Sequence, residues 1–210
     1  MRHGETTGLP AQPRAAGVNR AMITILGMRT KGPEGALNVD TTSRSRNWSR
    51  GLSPFFLGPV NLYGPYQAKC VENAWQYSKV YPEHVGPDGE PSEAWWAWAG
   101  AGWALDRAVR HPMGRGKKPL YAYWDGQHLD YVPARKAIYL PLYRDAVRPT
   151  DSFAELVRVC QRNGHVVLRD FDGYDHRALG MTLEEVLDCR SRIMGHAFVL
   201  AMMLRNMGIE

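Results

Sequence analysis

The segment RIMGHAFVLAMML (192–204) constrains the fold more than any other part of the chain. It is rich in Met, Leu, Ala and Phe and reads as one helix over about 190–207. A helix with so little polar surface has to be enclosed by other elements. It is therefore expected in the core, with the rest of the chain wrapped around it. It does not read as a membrane span, because no apolar run in the sequence approaches ~18–20 residues. With 210 residues, 44% of them hydrophobic, a single domain with a proper core is expected.

Residues 1–21 carry Gly, Pro, Ala and charge without periodicity, so a flexible tail is expected there and a domain over 22–210. The run beginning at Met22 is β-like, KGPEG turns, and residues 38–58 look like a polar, basic loop. VNLYG reads as a short strand. Apolar spacing predicts a helix from about Cys70 to Val80, ended by Tyr81-Pro82, because the residue before a proline avoids helical backbone. Ser92 is expected to cap a Trp-rich helix reaching about Arg110. His111-Pro112 and GRGKKP form a basic loop, LYAYW a strand, and 134–147 a helix that Pro141 kinks or divides. Asp151 is expected to cap a helix to Gln161, HVVLRDF to form a strand, and Thr182 with Glu185 to make a capping box. More than half of the chain reads helical. The expected class is mainly α with a few short β-strands, an α+β domain.

A net charge of +5 favours phosphate-bearing ligands or nucleic acid, although an ordinary basic surface explains it equally well. Cys70, Cys160 and Cys189 are too few and too far apart for a disulfide framework, so reduced thiols and a cytoplasmic setting are expected. There is no CxxC pair, no phosphate loop, no GxGxxG and no GxSxG elbow. The histidines lack metal-ligand spacing, and neither a metal nor an organic cofactor is expected.

What remains is carboxylates beside aromatic and basic residues. Glu72, Gln76 and Lys79 fall at i, i+4 and i+7 of VENAWQYSK, on one helix face beside Trp75. They line a polar pocket or form a salt-bridged surface over a buried Trp75. Trp124-Asp125 ends an apolar strand, as a ligand platform or as a turn after a core Trp. In DFDGYDH, Asp170, Asp172 and Asp175 orient water, bind a cation or form a solvated turn around Gly173. Arg44 and Arg46 in TSRSRNW suit phosphate geometry, or belong to an ordinary basic loop.

Taken in order, these pieces resemble the NADAR family of N-glycosidases. LSPFF (52–56) is similar to that family's "LSNF" opening, and VENAWQYSK to its "VEHxxQxxK" helix. Gly114-Arg115 precedes Trp124-Asp125, an acidic strand end at Asp170 precedes Tyr174-Asp175, and RIMGHAFVLAMML is similar to the closing "LGKxLMxxR" helix. The resemblance covers about residues 50–207. Asn73 stands where that family has His, His196 where it often has Lys, and the Asp-x-x-Trp-Gly that follows there is only partly kept after Asp175.

The resemblance implies a single-domain NADAR architecture and cleavage of an N-glycosidic bond in a nucleotide-like or ADP-ribosylated nucleobase substrate, without metal. It implies Glu72 as the main catalytic carboxylate, with Asp170 or Asp175 as the second acid and Trp124 as a stacking platform. Arg44, Arg46, Lys79 and Arg115 are the phosphate candidates. Ser53, Phe55, Gln76, Asp125 and His196 complete the expected substrate contacts. The rival expectation is a binder of DNA or RNA, or a DNA-modification accessory, that keeps the fold without this chemistry. A catalytically dead interaction module is the third. Convergence of Glu72, Trp124 and Asp175 in one cleft favours the enzyme, and a continuous basic groove without such a cleft favours the binder.

Overall fold

The protein is represented by a computed structural model that describes residues 20–210. The expected tail therefore lies outside the described residues up to position 19. Ala21, placed in that tail by its sequence, belongs to the domain. It is buried, and its N–H donates to the Ile209 carbonyl at 2.8 Å.

The core forms around the C-terminal helix, His196–Asn206, whose residues 196 to 201 are buried without interruption. It starts later than the expected position 190, because Cys189 to Gly195 form an irregular strap with a bend at 190–192 ahead of it. Beside it lies a three-stranded parallel sheet of β1 (Met22–Gly27), β2 (Leu37–Asp40) and β8 (His165–Asp170), in the order β1-β8-β2. β8 is the middle strand, and Val166, Val167 and Leu168 are fully buried, as expected for a strand covered on both faces. Gly27 pairs with Asp170 and Asp40 with Arg169, so all three strands end at one edge.

Five further strands form two small antiparallel sheets among the described residues. β3 (Val60–Asn61) pairs with β4 (Gln67–Ala68). β5 (Lys79–Val80), β6 (Tyr121–Trp124) and β7 (Gln127–Leu129) form an antiparallel sheet. Asp125 and Gly126 both have positive φ, 47° and 77°, and close the β6–β7 hairpin as a two-residue Asp-Gly turn.

The helices are α1 (Val71–Tyr77), α2 (Glu93–Trp103), α3 (Tyr131–Ala134), α4 (Leu140–Val147), α5 (Asp151–Arg162), α6 (Leu183–Asp188) and α7 (His196–Asn206). Helical residues are 38% of those described and strand residues 16%, so the class is α+β, with less helix than the sequence suggests. Three helices explain the difference. α1 stops before Lys79, because the Ser78 hydroxyl donates to the Trp75 carbonyl at 2.9 Å and the next two residues pair with β6. α2 stops at Trp103, well short of Arg110, for a reason given below. The expected helix over 134–147 is divided: Arg135–Tyr139 form a wider π turn ahead of α4, where Pro141 lacks the N–H an α-helical turn needs.

Caps follow the sequence closely. Ser92 accepts from the Trp95 N–H, and Thr182 with Glu185 makes the full capping box. At α5 the cap is Thr150, which accepts from the Phe153 N–H at 3.1 Å, and Asp151 is instead the first helical residue, beside the positive helix end. Among the described residues, no helix is long and apolar enough to cross a membrane.

Candidate active site

A cavity of about 500 Å³ opens at the edge where the parallel strands end. Thr42 and Ser43, just beyond β2, and Asp170, Phe171 and Asp172, at the end of β8, form one wall. Glu72, Trp75 and Gln76 of α1 with Lys79 of β5 form a second, and Met194, Gly195 and His196 at the start of α7 a third. Ligands of open parallel sheets commonly sit outside such carboxyl ends. Ser53, Phe55, Glu72, Gln76, Lys79, Asp170 and His196 were all expected at a site, and all line this cavity.

Glu72 is 5% exposed. Its Oε1 accepts from Gln76 Nε2 at 3.0 Å, and Gln76 Oε1 accepts from Lys79 Nζ at 2.6 Å. Acid, amide and ammonium thus form one chain, with the amide orientation fixed at both ends. The Lys79 ammonium also lies 4.9 Å from the centre of the Trp75 ring. Burial raises the Glu72 carboxyl above the usual range; the Gln76 hydrogen bond and the charges of Lys79, Arg110 and His196 pull the other way and do not cancel it. Burial lowers Lys79 to about 8 despite the Glu72 charge.

Asp170 is spent on architecture. Its Oδ2 accepts from the Ala197 N–H at 3.1 Å at the N-terminus of α7 and lies 3.2 Å from His196 Nδ1. Its Oδ1 accepts from the Asp172 N–H at 3.3 Å. A Cβ at Gly195 would overlap this carboxylate, so a glycine is needed there. His196 Nε2 donates to the Thr41 carbonyl at 2.8 Å. With both ring nitrogens engaged, His196 braces β2 against β8 and has no free nitrogen to offer a ligand.

An ion pair also enters the cavity, between Asp172, one of the three acids of DFDGYDH, and Arg110, which the sequence reading left without a role. Asp172 Oδ2 accepts from Arg110 Nη2 at 2.6 Å. Burial raises the Asp172 carboxyl above its usual value, and Arg110 works against that shift. Arg110 arrives because buried Asn73 captures the chain ahead of it. Asn73 Nδ2 donates to the Leu105 carbonyl at 3.1 Å and the Arg107 carbonyl at 3.0 Å, and its Oδ1 accepts from the Val109 N–H at 2.9 Å. Those are groups that a longer α2 would have satisfied internally, which is why the helix ends early. An isolated Asn inside a helical pattern carries no sequence signal for such a capture.

Tyr139, also in the cavity wall, is held protonated by burial and by the charges of Glu72 and Asp170. Arg135 is 1% exposed and donates to the carbonyls of Val186, Leu187, Cys189 and Arg192, which fixes the strap leading into α7.

The other expected residues lie elsewhere. Trp124 is outside the cavity, edge-on to Tyr63 with ring centres 4.9 Å apart, and packs against the cluster of Ala122, Ala134 and Ile138. Asp125 is the exposed turn residue of that hairpin. Asp175 lines a separate pocket beside β1, and its Oδ1 accepts from the Arg177 and Ala178 N–H groups. Arg46 and Arg115 are exposed and do not line the cavity; Lys117 and Lys118 do. Arg44 reaches its rim, 5.1 Å from the centre of the Phe171 ring. Of Glu72, Trp124 and Asp175, only Glu72 is in the cleft.

Among the described residues, no group of three or more His, Cys, Asp or Glu side chains is placed to hold a metal ion. Comparison with curated proteins finds no match. A family model matches residues 23–178, which takes in Glu72, Lys79, Arg110 and Asp172 and ends before α7. The chain belongs to that family, described as a family of unknown function (DUF6939).

Proposed function

We propose that this chain is an N-glycosidase that hydrolyses the bond between sugar and base nitrogen in a nucleotide-like or ADP-ribosylated substrate, without a metal. The observation that carries the reading is Glu72: a carboxyl in the wall of a large cavity, oriented by Gln76 and raised by burial. The resemblance to NADAR proteins in VENAWQYSK points to the same residue.

Breaking such a bond builds positive charge on the sugar and leaves electrons on the base nitrogen. Glu72 as carboxylate stabilises that charge and takes a proton from water as the water oxygen bonds to the anomeric carbon. Asp172, whose half-buried carboxyl is raised above its usual value by burial, gives a proton to the departing nitrogen. It takes the role expected of Asp170 or Asp175. Trp75 and Phe171 supply flat faces for the base, in place of Trp124, while Lys79, Arg110, Lys117 and Lys118 suit phosphate.

Glu72→Gln tests this. It keeps the shape and removes the charge, so on a cleaved substrate it lowers kcat by about 10²-fold or more with little change in KM. Turnover within a few-fold of wild type contradicts the proposal.

A further inference from the structure

Arg110 stands where a pinned segment meets an exposed one. The three Asn73 hydrogen bonds hold the chain up to Val109. Beyond it, residues 114–119 are exposed and bring Lys117 and Lys118 to the cavity that Arg110 lines. The guanidinium is bonded to Asp172 and lies 5.7 Å from the centre of the Phe171 ring. Its charge also reaches Glu72, Lys79 and His111, and the His111 imidazole is held below its usual range by burial and by Arg110, Arg115 and Lys79. Cations therefore gather at this mouth around one half-buried pairing partner, Asp172. A phosphate, with several charged oxygens in reach of a guanidinium fork, is a stronger partner for the same donor than one half-buried carboxylate.

We infer that Arg110 is an anion-operated latch: a phosphate group of the ligand, bound by Arg110 with Lys117 and Lys118, draws the guanidinium off Asp172. No covalent bond changes; one charge-assisted hydrogen bond is exchanged for others. Once Arg110 has turned away, the main charge opposing burial at Asp172 is gone and the carboxyl takes up a proton from water more readily. Anion binding thereby arms the group that protonates the leaving base, and ligands without phosphate leave it paired and idle. The latch rests on the reading that the cleft takes a phosphate-bearing ligand, and not on which bond is then cut.

The test is the affinity of the full chain for inorganic phosphate, by calorimetry at fixed ionic strength, with the thermal midpoint of every variant measured alongside. Asp172→Asn frees Arg110 and should tighten phosphate binding by about fivefold or more, whereas Arg110→Gln should weaken it by about as much. Combining the two separates competition from simple loss of negative charge. In the Arg110→Gln background, Asp172→Asn should gain less than about twofold. A full gain in that background, or no gain from Asp172→Asn alone, overturns the latch. Should Arg110→Gln fail to fold, Arg110→Lys serves in the same cycle, because it keeps the charge and loses the fork. Phosphate binding needs no turnover, so failure here leaves the N-glycosidase reading to the Glu72→Gln kinetics.

Discussion

Burial acts in opposite directions on the two ends of the Glu72–Gln76–Lys79 chain. It lifts the carboxyl and lowers the ammonium to about 8. For Lys79 the folded value lies below the ordinary 10.5, so the cost of holding its charge is full below pH 8 and is relieved as pH rises from there toward 10.5. If that charge holds the substrate, kcat/KM falls through an alkaline limb near pH 8. Lys79→Arg should move the limb upward, because a guanidinium stays charged. A pH–rate profile checks this, and an unmoved limb removes Lys79 from the chemistry. The two tryptophans separate similarly. Trp75→Phe should weaken ligand binding by about 1 kcal/mol, because Trp75 lines the cavity and carries Lys79 on its face. Trp124→Phe should leave affinity unchanged, since that ring packs on Tyr63. Equilibrium binding to both variants tells them apart.

At the scale of elements, much of the site depends on where helices stop. Glu72, Gln76 and Lys79 were legible as one stripe, although Lys79 turns out to begin a strand, because its side chain still reaches the Gln76 amide. Arg110 was given no role and Asp172 was only one of three acids in a turn: each is a loop residue whose place depends on a side-chain capture, by Asn73 in one case and by the Asp170 turn in the other. The Asp-Gly after Trp124 was a readable hairpin signal that argued against a ligand platform there. The Asn73 capture predicts a specific loss. Asn73→Ala leaves two carbonyls and one N–H without their partner and should cost about 2 kcal/mol. Hydrogen exchange at the Val109 amide should speed up more than exchange in β8. Asn73→His should not rescue it, because an imidazole cannot accept one bond and donate two to these groups at once. Protection of Val109 equal to wild type in either variant contradicts this account of the loop.

Across the whole molecule, the buried C-terminal helix was the most legible feature and it organises the core. The parallel sheet was not legible. β1 and β8 are separated by most of the chain, and no local pattern says that Met22 will lie beside His165. Yet that pairing makes the site: it brings the ends of β2 and β8 to one edge, opposite α1 and below the start of α7. Asp175, only a few residues past Asp172, lines a different pocket beside β1. The central claim is the bond that this arrangement cuts, and the direct measurement is mass spectrometry of products formed in heavy-oxygen water. The substrates are ADP-ribosylated nucleosides, ADP-ribosylated DNA and phosphoribosylamino-pyrimidines. The account predicts a free base and a sugar carrying one heavy oxygen at its anomeric carbon, from a phosphate-bearing substrate. Intact glycosidic bonds throughout, or heavy oxygen on phosphorus instead of carbon, would contradict it.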